Sequence, residues 1–160
     1  IEWQGKLGDI TPGTTIWEGI QEQSASTLYT QGIEGDFDGA IVVIGEDPYT
    51  EMEGDSDQLY ISELDKKSIQ IVEEMNIPYT IVLITGRPLV VNDELENANS
   101  FLVAWLPGTE GNGVSDVLFG DVNLTGKLSF SWPKSMDNVP VNFDQENYDP
   151  KFKLGYGLTY

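Results

Sequence analysis

Three short apolar runs punctuate the chain, and each is broken off by residues that end regular structure. Ile41-Val-Val-Ile44 empties into Gly45, Tyr79-Thr-Ile-Val-Leu-Ile-Thr85 into Gly86-Arg87-Pro88, and Phe101-Leu-Val-Ala-Trp105 into Leu106-Pro107-Gly108. Runs of this length and continuity predict strands buried on both faces. Between them the period changes. Ser62 precedes Glu63 to Met75, where Leu64, Ser68, Ile71, Val72 and Met75 recur at helical spacing, so a capped helix is expected there. Asn92 to Ala98 predicts a short helical turn, and Val114, Val117 and Leu118 mark a helix closing at Gly120. Upstream, Thr14 or Thr15 can cap a helix running to about Gln23 with Ile16, Trp17 and Ile20 on one face. Thr27 to Thr30 reads as a brief strand. The alternation predicts an α/β fold, a mostly parallel sheet with helices on both faces in three layers.

The last part of the chain is patterned differently. Lys127 to Trp132 alternates with period two, which suits an edge strand. From Pro133 to Tyr160 proline, asparagine and aspartate dominate, with Phe143, Tyr148, Phe152, Tyr156 and Tyr160 as aromatic anchors. This is expected to be an irregular C-terminal tail draped over the domain or a neighbour.

Composition narrows the choice of chemistry. The chain has 160 residues, enough for one domain with its own core. A formal charge of -19 argues against nucleic acid and anionic membranes as partners, since both would repel it. Such acidity suits a strongly solvated surface, and salt outside the cell would screen its self-repulsion. There is no cysteine and no histidine, so disulfides, thiol nucleophiles, histidine-dependent triads and the usual zinc sites are excluded. Acid/base work near neutral pH falls to carboxylates, tyrosines or lysines. No apolar run is long enough to span a bilayer. The start at Ile1, without a basic, apolar signal segment, reads as a mature or excised piece.

In a parallel sheet all strands end on one side, so three exit loops should gather there: Gly45 to Asp55, Thr85 to Pro88, and Trp105 to Glu110. The first carries Glu46, Asp47, Glu51, Glu53 and Asp55, with Pro48 and Gly54 to break regular structure. This is a polar rim for a neutral, hydroxyl-rich ligand or for proton transfer. No glycine-rich phosphate motif follows any strand. Five acidic side chains could ligate calcium, but the D-x-[DN]-x-[DN]-G pattern is not matched and Pro48 interrupts it, so no metal and no cofactor are expected. Arg87 is expected to support the edge by pairing with an acidic loop or carbonyls, and Asp55 to form a turn or cap. Glu110 could serve a helix dipole, and Trp3 could be a core or edge aromatic. On residue pattern alone the five carboxylates stay interchangeable.

Several ordered motifs carry a resemblance. They are Val43-Ile-Gly-Glu-Asp-Pro-Tyr-Thr-Glu51 with Gly54-Asp55, Ile84-Thr-Gly-Arg-Pro88, and Ala104-Trp-Leu-Pro-Gly-Thr-Glu-Gly111. Val117-Leu-Phe-Gly-Asp121, Gly126-Lys-Leu128, Leu154-Gly-Tyr-Gly-Leu-Thr-Tyr160 and the opening Ile1-Glu-Trp-Gln-Gly5 continue the series. Together they resemble glycoside hydrolase family 3, the β-glucosidases and β-glucan exohydrolases, over nearly the whole chain. The resemblance implies a C-terminal α/β sandwich domain, residues 1–160, that begins after its first strand or strands and normally follows a barrel domain. The barrel would supply an aspartate nucleophile and most sugar contacts. By motif position Glu51 would be the general acid/base and Trp3 would line the adjoining subsite, with Arg87 and Asp55 supporting the loop.

A retaining glycosidase needs two carboxyl groups about 5–5.5 Å apart across the glycosidic bond. The acid must start protonated, and Glu46, Asp47 and Glu53 are expected to push the Glu51 proton affinity up. Related exohydrolases can carry a lysine where this chain has Glu53. Trp3 could stack on a sugar face. The implied partners are a β-glucoside or β-glucan oligosaccharide and the barrel domain, and the implied setting is secreted or periplasmic. The rival reading is a non-catalytic carbohydrate-binding or structural module of the same fold. Asn123-Leu-Thr125 is a glycosylation sequon.

Overall fold

The computed structural model describes residues 6–8, 10–30 and 35–160. Its centre is a parallel three-stranded sheet of β1 (Ala40–Gly45), β2 (Tyr79–Ile84) and β3 (Ser100–Trp105), in the order β1-β2-β3. The register pairs Val42 with Ile81 and Ile81 with Phe101. Parallel neighbours need crossovers, and helices supply them: α2 (Glu63–Glu74) joins β1 to β2, and α3 (Asn92–Asn97) joins β2 to β3. The remaining helices are α1 (Ile16–Gln23) before the sheet and α4 (Gly111–Leu118) after it.

Local chemistry explains where the helices start. Thr15 caps α1: its hydroxyl accepts from the Glu18 N–H at 3.1 Å, while the Glu18 carboxylate accepts from the Thr15 N–H at 2.8 Å. Ser62 caps α2 by accepting from the Asp65 N–H. The starts of α1 and α4 are stitched together by Thr14 N–H to Thr109 carbonyl and Gly111 N–H to Thr14 carbonyl, both 2.9 Å. The two helices can then close only because Gly111 lacks a side chain. A Cβ there would lie 2.2 Å from the Thr15 carbonyl carbon.

The main core lies on one face of the sheet, where Val42, Ile44, Ile81 and Leu83 meet Ile61, Ile69, Leu89, Val91 and Trp132. Burying each such side chain stabilises the fold by about 1.5–3 kcal/mol. On the other face of β2, Val82 is also fully buried.

Several details differ from the expectations. Val42 and Ile44 are buried, but Ile41 and Val43 are 37% and 44% exposed, so β1 is covered on one face only. It is an edge strand, and its second face is only partly covered. In α2 the buried residue is Ile69, while Leu64 and Ile71 are exposed. Thr27 to Thr30 is irregular rather than a strand, and Tyr29 leans on Trp17, with ring centroids 5.4 Å apart. Lys127 to Trp132 does not join the sheet either. Its backbone pairs with the tail: Leu128 N–H to Tyr156 carbonyl, Trp132 N–H to Phe152 carbonyl, and Lys151 N–H to Trp132 carbonyl, each 2.8 Å. The tail is irregular apart from a single 3-10 turn at Met136–Asn138. Of its aromatics, Phe143 is exposed rather than anchoring, Tyr160 is exposed but its hydroxyl donates to the Val117 carbonyl, and Phe152 stacks on Tyr156 at 4.3 Å.

Candidate active site

The three strand exits do converge. The Glu46 N–H donates to the Ile84 carbonyl and the Thr85 N–H to the Trp105 carbonyl, each at 3.1 Å, which carries the sheet pairing one step into the loops. A Cβ placed on Gly86 would meet the Tyr49 hydroxyl at 2.9 Å and Leu106 Cδ1 at 3.9 Å. All three loops therefore meet around Gly86.

The hub is an ion pair. Arg87 reaches back from the β2 exit to Glu46 at the β1 exit, with Nη2 at 2.8 Å and Nε at 2.9 Å from the same carboxylate oxygen, Oε1. The second oxygen, Oε2, accepts from the Tyr49 hydroxyl at 3.0 Å and from the Thr85 hydroxyl at 2.6 Å. Both partners of the pair are largely buried, their side chains 26% and 15% exposed. Truncating one would leave a charge uncompensated. The guanidinium also lies over the Tyr49 ring, 4.3 Å from its centroid. Burial, followed by the hydrogen bond to Glu46, pushes the Tyr49 hydroxyl up to about 12, so it stays a neutral donor.

The acidic loop is not wholly irregular: Glu51–Gly54 forms one 3-10 turn. Arg87 Nη1 donates to the Gly54 carbonyl, which fastens the end of this turn to the hub. Gly54 packs flat on Tyr49, where a Cβ would lie 2.5 Å from ring carbon Cδ2. The Asp55 N–H closes the turn on the Met52 carbonyl at 3.1 Å, and the Asp55 carboxyl is exposed.

Glu51 opens the turn with a φ of 46°, a conformation that costs an L residue roughly 1–2 kcal/mol. At the far end of the edge, Trp105 has a φ of 56° where β3 bulges against β2. Non-glycine residues held in this region concentrate at functional sites. Glu51, Met52 and Glu53 are all exposed, so the turn stands out from the edge.

The structure thus separates the five carboxylates. Glu46 is not a free like charge beside Glu51, because Arg87 neutralises it. Asp47, Glu51, Glu53 and Asp55 face solvent. Among the described residues no three acidic side chains converge closely enough to hold a metal ion. Trp3 lies outside the described residues. Glu110 sits at the N-cap of α4 without a side-chain capping bond. Sequence reasoning misses Tyr49 and Thr85, because no periodicity marks them. The available hint is Tyr49 lying between Glu46 and Gly54, with a second glycine, Gly86, in the neighbouring loop.

Comparison with known proteins gives this edge a context. The sequence profile of the glycosyl hydrolase family 3 C-terminal domain matches residues 2–160. The chain is 33% identical over 139 residues to a β-xylosidase of Formosa agariphila, covering 77% of this chain and 19% of that protein. It is 32% identical to a periplasmic β-glucosidase of Salmonella typhimurium, again over 77% of this chain and 19% of the relative. Among solved structures, an exo-1,3/1,4-β-glucanase from a Pseudoalteromonas species superposes with a TM-score of 0.84 at 42% identity, covering 92% of this chain and 20% of that one. A β-glucosidase from Listeria innocua in complex with isofagomine gives 0.80 at 26% identity, with 92% and 26% covered. The chain spans about a fifth of the curated relatives it matches.

Proposed function

Since this chain belongs to the glycosyl hydrolase family 3 C-terminal domain family, we propose that it supplies the general acid/base of a retaining β-glucoside hydrolase, with Glu51 as that residue. The observation that carries this reading is the placement of Glu51: exposed, at the strand-end edge, on a strained turn fastened to a buried ion pair. The similarity to β-glucosidases, a β-xylosidase and an exo-glucanase supports a neutral β-linked sugar as the substrate.

Glu51 donates its proton to the glycosidic oxygen as the leaving group departs, and the resulting carboxylate removes a proton from the water that releases the sugar. Each turnover restores the starting protonation. The nucleophile belongs to a barrel domain outside these residues, a division consistent with the small share of each relative that the chain covers. By its place in the family motif, Trp3 serves as the platform for the sugar or aglycone. Arg87 and Asp55 hold the turn. No cofactor takes part. The setting is periplasmic or secreted, in keeping with the Salmonella relative.

The division of labour is tested by incubating the purified 160 residues with an aryl β-glucoside. No nitrophenol release is expected. Clear hydrolysis, lost in Glu51→Gln, would contradict the need for a barrel nucleophile.

A further inference from the structure

We infer that Glu46 is a positioning residue for Glu51, acting through Arg87 and the Gly54 carbonyl; this rests on the acid/base role proposed for Glu51. Glu46 stands one residue beyond β1, with its own N–H bound to the Ile84 carbonyl, so its backbone is as fixed as the sheet. Its carboxylate is committed on both oxygens: two Arg87 nitrogens on Oε1, and the Tyr49 and Thr85 hydroxyls on Oε2. A carboxylate so engaged has little capacity left to shuttle protons to a sugar. What it can do is fix the plane and height of the guanidinium.

That guanidinium has one further task, the Gly54 carbonyl. Gly54 ends the turn that Glu51 begins, and so short a turn cannot hold an unfavourable φ on its own. Seated on the Tyr49 ring and bonded to Arg87, Gly54 sets where the turn stops and therefore where Glu51 starts. Without the Glu46 charge, Arg87 loses its anchor at 2.8 and 2.9 Å and can follow its other partners or solvent. The turn can then relax towards ordinary backbone angles and carry the Glu51 carboxyl off the glycosidic oxygen. Displacements of about 1 Å at reacting groups cost on the order of 100-fold in rate.

A clasp that merely stabilises the loop would affect all substrates alike, and leaving-group dependence separates the two roles. In the full-length enzyme, kcat/KM is measured for Glu46→Gln, Glu51→Gln and the double variant on phenyl and dinitrophenyl β-glucosides. Glu46→Gln is expected to lose about 10- to 100-fold on the phenyl glucoside, which needs the proton, and less than about 3-fold on the dinitrophenyl glucoside, which does not. Because Glu46 acts through Glu51, the double variant is expected to be no slower than Glu51→Gln alone.

Equal losses on the two substrates, or a double variant slower by the full Glu46 factor, would overturn the positioning role while leaving Glu51 as the acid. Absence of leaving-group selectivity in Glu51→Gln itself would overturn the acid role and this inference with it. If Glu46→Gln does not fold, Tyr49→Phe removes one bond to Oε2 and keeps the ring under Gly54. It should show the same selectivity in weaker form, and a folded Tyr49→Phe without it would overturn the proposal.

Discussion

Arg87 binds Glu46 through two nitrogens, at 2.8 and 2.9 Å, across 41 residues of sequence. This pair ties the exit of β1 to the exit of β2. It does so in a largely buried setting, where charge-assisted bonds are stronger and unpaired charges more costly than at the surface. Through the Gly54 carbonyl it also governs the turn that carries Glu51. The acidic loop is therefore an ordered support built around one neutralised carboxylate.

The strain at Glu51 has a measurable consequence. Glycine adopts positive φ without a Cβ penalty, whereas alanine keeps that penalty and loses the carboxyl equally. In urea unfolding, Glu51→Gly is expected to be more stable than Glu51→Ala by about 1 kcal/mol. The reverse order would mean that the turn is not held at positive φ.

The core side of the tail rests on Trp132, which is 2% exposed and donates its indole N–H to the Leu89 carbonyl at 2.6 Å. Trp132→Phe keeps an aromatic ring but leaves that buried carbonyl unsatisfied, for an expected loss of about 1–3 kcal/mol. Trp132→Ala adds a cavity and is expected to cost about 3–5 kcal/mol. Equilibrium unfolding of the two variants checks both the sizes and the order.

Much of the framework was legible in advance. The three strands, an α1 cap at Thr14 or Thr15 (Thr15 in the structure), the α2 cap at Ser62 and the helix closing at Gly120 follow from periodicity and capping chemistry, which act between near neighbours. The readings that failed depended on distant partners. Ile41 and Val43 look like any core strand residues, and their exposure depends on how far the rest of the chain covers that face. Lys127 to Trp132 has strand alternation but pairs with Phe152 and Tyr156 rather than with the sheet. At the site, the convergence of the strand exits was legible, and with it the pairing of Arg87 with the acidic loop. The roles of Glu46, Tyr49 and Thr85 could not be read, because Glu46 meets Thr85 and Arg87 across 39 and 41 positions and Tyr49 joins it from within an irregular loop with no repeating spacing.

Tyr49 and Tyr79 should titrate late. Burial, then a hydrogen bond to a carboxylate, pushes Tyr49 and Tyr79 up to about 12, with Glu46 and Glu73 as the respective partners. The folded state favours the neutral phenol in both. Their contribution to stability is thus complete below the ordinary tyrosine value near 10 and is lost as pH rises towards 12. Ultraviolet titration should show two late phenols, with one removed by Tyr49→Phe. Stability measured across the same interval should fall less steeply in that variant. A titration with no phenol removed from the late phase by Tyr49→Phe, and an unchanged slope, would contradict the buried hub.

The most direct test of the central claim is the leaving-group dependence of Glu51→Gln in the full-length enzyme. Loss of a general acid typically costs about 10²–10⁴-fold where proton donation is needed. The variant is therefore expected to lose a rate factor in that range, read as kcat/KM, on alkyl or phenyl β-glucosides, and to keep most of its kcat/KM on dinitrophenyl β-glucoside. An equal loss on both substrates would contradict the assignment of Glu51 as the proton donor.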